Sequence, residues 1–145
     1  MEPLDGAQRG FSLVELMVVV LIIAVLIAIA IPTFLGARQR AQDRAAQQML
    51  VNGLKVEKIW KAENGWYTAD SAVLESEEPA LDWNGSGDDA VHVAVSGAAQ
   101  VLLYARSTSG TWFGIRLAGG RQFTCQGQSA AEVDEMSDCT GNDQW

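Results

Sequence analysis

Apolar residues follow three different rhythms along this chain. From Leu16 to Ile31 they run without a break. Counted from Phe11 the stretch holds 21 residues, which as a helix cover about 31 Å, roughly one bilayer core. After Pro32 the pattern becomes amphipathic. Phe34, Ala37, Ala41, Ala45, Met49, Val56 and Ile59 or Trp60 recur near helical spacing, with Arg, Gln and Lys between them. The expectation is one long helix, bent at Pro32 and ending near Lys61 to Asn64, where Asn64-Gly65 supplies a stop. Residues Trp66 to Gly87 read as irregular, with one short helix at Ser71–Glu78 that Pro79 ends. Beyond them come strand-like runs at Ala90–Val95, Val101–Arg106, Thr111–Leu117 and a short Gln122–Cys125, separated by turn residues. Short connections of this kind predict an antiparallel sheet, one face on the helix stripe and the other toward solvent. The fold class expected is therefore α+β: a long N-terminal helix packed on a small antiparallel head.

Charge adds a contradiction inside the first segment. Glu15 stands within the apolar stretch, where a carboxylate costs roughly 2.5–3.5 kcal/mol even on lenient insertion scales. The span holds no other charge to pair with it. A signal anchor would explain the apolar run and the following Arg38, Arg40 and Arg44. A secretory signal peptide would use Leu16–Leu26 as its core and Ala28-Ile29-Ala30 as its cut site. Neither accounts for Glu15. Cleavage between Gly10 and Phe11 would, because the new ammonium on Phe11, on the same or a neighbouring molecule, would then face Glu15.

Gly10-Phe11-Ser12-Leu13-Val14-Glu15, the apolar run and Pro32 together resemble the class III signal of type IV pilins and their relatives. The resemblance covers about the first 35 residues. It implies a leader of residues 1–10, cleavage after Gly10 by a prepilin peptidase, and N-methylation of Phe11. It also implies a role for Glu15 and Pro32 in assembly, polymerisation into a helical homo-oligomer, and service by a pilus assembly platform and motor. The inner membrane would hold the precursor as a single-pass protein amid lipid, and the mature form would reside in an extracellular pilus. The leader departs from its usual basic character, with Glu2 and Asp5 against Arg9 alone. Within the resemblance, a type II secretion pseudopilin is the alternative to a pilus subunit. A membrane-anchored extracytoplasmic binding domain that never polymerises is the rival outside it.

The formal net charge of −8 is unevenly spread. Thr33 to Lys61 carries six basic residues against Asp43 and Glu57, a net of +4, whereas Ala62 to Trp145 carries thirteen acids against Arg106, Arg116 and Arg121, a net of −10. So acidic a head argues against nucleic-acid binding by one subunit. Cys125 and Cys139, the only cysteines, bracket 13 residues and read as a disulfide in an exported chain. Candidate chemistry is sparse. His92 lies alone in a strand, and no phosphate loop, nucleophile elbow or zinc spacing occurs, so no catalytic residue, cofactor or enzymatic activity is expected. Glu132, Asp134, Glu135, Asp138 and Asp143 near the disulfide, with Asp88-Asp89, are weak calcium candidates by ligand type alone. Among the large aromatics, Trp60, Trp66 and Trp112 are expected in the core, and Trp83 and Trp145 in intersubunit or adhesive contacts.

Overall fold

The computed structural model describes residues 10–88, 90–141 and 145. Two compact units divide it, one ending at Arg38 and the other running Gln39–Trp145. A single helix, α1 (Leu13–Asn64), supplies backbone to both.

In the first unit α1 is bare among the described residues. Every residue from Phe11 to Leu35 is exposed, and the large apolar side chains from Leu13 to Ile31 keep 48–78% of their surface open. The helix runs through Pro32, which has no N–H to give. Next to it, the Thr33 hydroxyl donates to the Ile29 carbonyl at 3.2 Å.

The second unit is the head. After α1 come α2 (Ser71–Glu77) and five strands: β1 (Asp82–Trp83), β2 (Ala90–Ser96), β3 (Gln100–Arg106), β4 (Trp112–Ala118) and β5 (Arg121–Gly127). Their spatial order is β1-β2-β3-β4-β5. Only β1 is parallel to its neighbour, pairing Asp82 with Ala90 and Trp83 with Val91. The other three junctions are antiparallel hairpins, as the short connections predict. The tightest joins Ala118 to Arg121 through Gly119 and Gly120 at φ 56° and 78°, a pair of positive φ values that favours glycine at both positions. The α1 terminus follows the same logic. Gly65 at φ 87° donates to the Lys61 carbonyl at 2.8 Å and stops the helix where Asn64-Gly65 was expected to.

Two apolar clusters fill the head. The larger joins Ala46, Leu50, Leu54 and Val56 of α1 to Val91, Val101, Leu103, Ala105, Phe113, Ile115 and Leu117 on the inner sheet face. The expected stripe is met in part: Val56 is buried and Met49 packs on the core, but Ala45 is exposed and Ile59 keeps 56% of its surface open, an offset of about one residue there. Gly53 and Glu57 cause the offset, because both occupy the buried face although neither scores as apolar. A Cβ at Gly53 would fall 2.8 Å from Leu103 Cδ2 and 3.2 Å from the Trp83 ring, so bare backbone lets the sheet approach. The smaller cluster corrects the expectation of a solvated outer face. Leu102 and Cys125 are buried there, covered by Val133 and Cys139 of the segment that follows β5.

The region before β2 also differs from expectation. Trp83 belongs to β1 and is 6% exposed in the main core, with its indole N–H donating to the Glu78 carbonyl at 3.1 Å. It is no contact residue. Conversely, Trp66, expected inside, is 54% exposed.

Candidate functional site

The chemistry legible in the sequence sits at the start of α1. Gly10, Phe11 and Ser12 precede the helix in exposed, non-helical backbone, and a Cβ on Gly10 would touch nothing within 4 Å. Met1–Arg9, with the leader's charges, lie outside the described residues. The first turn opens with the Leu16 amide donating to the Ser12 carbonyl at 3.2 Å. Glu15 occupies that turn, exposed, where a carboxylate interacts favourably with the helix dipole. Below it the helix presents 18-residue windows of mean hydropathy up to 3.3, long and apolar enough to cross a membrane. This surface is exposed from Phe11 to Leu35, and apolar surface of that extent is favourably covered by lipid, detergent or other apolar helices.

The disulfide expected between Cys125 and Cys139 is formed, with Cα atoms 4.9 Å apart. It packs over Gly114, where a Cβ would lie 2.6 Å from Cys125 Sγ and 2.9 Å from Cys139 Sγ. The closing segment is further secured by Trp145. Its indole N–H donates to the Cys125 carbonyl at 3.0 Å and lies 3.3 Å from that of Gly114, while its ring meets Phe113 edge-on at 6.0 Å. Trp145 thus closes the head rather than standing free for a partner.

The calcium candidates are tied up locally. Glu132 accepts from the Gln128 amide at 3.1 Å and the Ser129 hydroxyl at 2.9 Å, and Asp138 accepts from the Glu135 amide at 2.9 Å. Glu135 accepts from the Ser137 hydroxyl at 3.2 Å, and Asp134 raises the Tyr104 pKa as a lesser influence after burial. Among the described residues no three His, Cys, Asp or Glu side chains gather as a metal set; Asp89 and Asp143 lie outside those residues. His92 stacks on Tyr104 at 5.0 Å, near Trp112 at 6.2 Å. Burial holds its pKa below the ordinary imidazole value, with Asp82 opposing. It fills the outer sheet face, as a lone strand histidine is expected to.

Sequence reasoning missed Glu57. It is fully buried in α1, and its Oε2 accepts from the Thr68 amide at 3.2 Å. Oε1 has no partner among the described residues. Burial raises its pKa to about 7, against a smaller lowering by the Thr68 N–H. The only available signal was its spacing from Leu50, Gly53 and Leu54 on one helical face.

An exposed apolar helix with an acid in its first turn, continued into an α+β head, defines the class. The model of the prokaryotic N-terminal methylation motif matches residues 6–31. The chain is similar to the type IV wide pilus major component PilA4 of Thermus thermophilus, 40% identical over 66 residues, 46% of this chain and 50% of that protein. It is likewise similar to type II secretion system core protein G of Escherichia coli, 36% identical over 76 residues, 51% of this chain and 52% of the relative. Over a longer stretch it resembles fimbrial protein EcpC of Eikenella corrodens, 28% identical over 113 residues, 78% of this chain and 72% of that one. The chain spans about half the length of the first two. It therefore carries the type IV prepilin motif in a pilin-like α+β arrangement, and its relatives include pilus, fimbrial and type II secretion core proteins.

Proposed function

We propose that this chain is a structural, non-catalytic subunit of a type IV pilus. The observation that carries the reading is the bare apolar face of α1 with Glu15 as its sole charge between Phe11 and Thr33. A prepilin peptidase cuts between Gly10 and Phe11, and Phe11 is then N-methylated. Before assembly the span anchors the subunit in the cytoplasmic membrane, with the disulfide-bonded head outside the cytoplasm. After assembly, copies of the span shield one another from water at the filament centre, and Pro32 bends each helix there. Glu15 pairs with the Phe11 ammonium of an adjacent subunit, which satisfies both charges and sets axial register. The assembly platform and motor drive this transfer, and the filament serves adhesion, motility or DNA uptake.

Replacing Glu15 by Ala tests the reading. Export and the intact mass of the processed protein should stay unchanged, while protein recovered in sheared filaments falls by about tenfold or more, the effect of losing a buried charge partner. Wild-type filament yield from that variant would refute the pairing, and a mature N-terminus at Met1 or Ile31 would refute the processing. The likeness to type II secretion core protein G supports a second reading, a short secretion-system filament. Long surface fibres built chiefly of this protein favour the pilus.

A further inference from the structure

After Lys61 the chain has three arginines. Arg106 is paired, its Nη1 2.8 Å from Asp88 Oδ1. Arg116 and Arg121 make no ion pair among the described residues. Register explains why these two lie together. Arg116 of β4 sits opposite Phe123 of β5, and Arg121 precedes Phe123 by two residues, so all three side chains share one sheet face. Both guanidinium carbons stand 5.6 Å from the Phe123 ring centroid. Arg116 is further held by neutral acceptors, Gln100 Oε1 at 2.8 Å and the Cys139 carbonyl at 3.4 Å, while its Nε is buried without a partner. Arg121 is exposed on the edge strand of the sheet. Two cations are thus positioned on an aromatic ring without a carboxylate partner among the described residues.

The opposite edge carries the complementary charge. It is formed by β1, against which α2 packs. Glu75 and Glu77 of α2 are exposed and make no ion pair among the described residues. Four strand spacings separate β1 from β5, about 19 Å, so the two sets cannot meet within one head. We propose that Arg121 at the β5 edge of one copy, with Arg116 beside it on β4, receives Glu75 and Glu77 of α2 in a second copy. The inference rests on the filament reading and deepens it. Opposite charges on opposite edges make a head-to-tail contact, the kind that propagates into an open helical array instead of closing a dimer. The charge balance favours it too, because segments of net −10 repel one another unless their few free cations are spent between copies. Among the described residues Arg38, Arg40, Arg44, Lys55 and Lys58 of α1 sit on no aromatic ring and Lys61, over Tyr67, is a point charge, whereas an arginine held on a ring is pre-organised for a carboxylate.

Charge reversal on full-length protein, read as the fraction recovered in sheared filaments, tests the contact. Arg121→Glu, and separately Glu75→Arg with Glu77→Arg, should each lower that fraction about tenfold through like-charge juxtaposition. Combining Arg121→Glu with Glu75→Arg alone should restore it to within about twofold of wild type, because that pair is re-formed with its signs exchanged while Arg116 still faces Glu77. Arg121→Glu should keep the wild-type unfolding midpoint, which separates a lost contact from a damaged head. Undiminished filaments from either reversal overturn the proposal, as does a combined variant no better than its parents. Wild-type protein that forms no filaments overturns the filament reading itself; wild-type filaments indifferent to these charges overturn the head contact alone.

Discussion

Replacing Glu57 by Gln should stabilise the head at neutral pH and remove a pH dependence of definite sign. The wild-type carboxyl is fully buried and, among the described residues, holds one hydrogen bond, from the Thr68 amide at 3.2 Å. Burial moves its pKa from 4.5 to about 7. Below pH 4.5 the group is protonated both folded and unfolded, so the fold bears no ionisation penalty. Between 4.5 and 7 the unfolded chain releases the proton while the folded head retains it, and stability falls as pH rises. Above 7 the folded group ionises as well, and the loss levels off. At 1.36 kcal/mol per pH unit the full drop is about 3 kcal/mol, a large share of the 5–15 kcal/mol typical of a domain. Gln keeps an acceptor for Thr68 and cannot ionise. Urea unfolding in detergent, followed by tryptophan fluorescence, isolates the head because all five Trp lie beyond Gln39. The stability of the Gln variant minus that of wild type should climb by about 3 kcal/mol between pH 4.5 and 7.5 and then flatten. Taking the difference cancels the other carboxylates. A difference independent of pH would refute the account of a buried, neutral Glu57.

Two further perturbations probe the outer face of the sheet. Gly114→Ala should destabilise the head by about 1–3 kcal/mol, because the added Cβ meets both sulfurs of a covalent bridge that cannot step aside; an unchanged urea midpoint would contradict this. Converting both Cys125 and Cys139 to Ala should cost about 2–5 kcal/mol and expose Leu102 and Val133, read as a lower midpoint with new binding of an apolar dye.

Much of the architecture was legible because the relevant signals are local. The uninterrupted apolar run, the Asn64-Gly65 stop and the Gly119-Gly120 hairpin act through chain length and φ preference, which need no distant partner. All four anticipated strands occur, each within two residues of its expected limits. What escaped were decisions made by neighbours. Trp83 stands between turn residues and reads as a loop, yet two residues of parallel pairing with β2 carry it into the core. Trp66 looks like core material and is exposed, because the chain has just left α1 at Gly65 and only Tyr67 turns inward. The outer sheet face was legible only as half of an alternation. That the disulfide segment would cover it depends on where fourteen residues of chain fold back.

Glu15 and Glu57 mark the division. Both are glutamates on one helix, four residues past an aromatic or a glycine. The sequence alone made Glu15 conspicuous, since a charge within an apolar run is anomalous whatever the fold and the span is long and apolar enough to cross a membrane. It could not distinguish Glu57 from the surface acids around it. Burial is a property of what packs against a residue, and only the sheet closing over Gly53 and the Thr68 amide turning back on α1 placed that carboxyl out of water. The placement of Arg121 on the edge strand has the same origin: sequence counts the arginines and the acids, while strand order decides which of them stand at an edge.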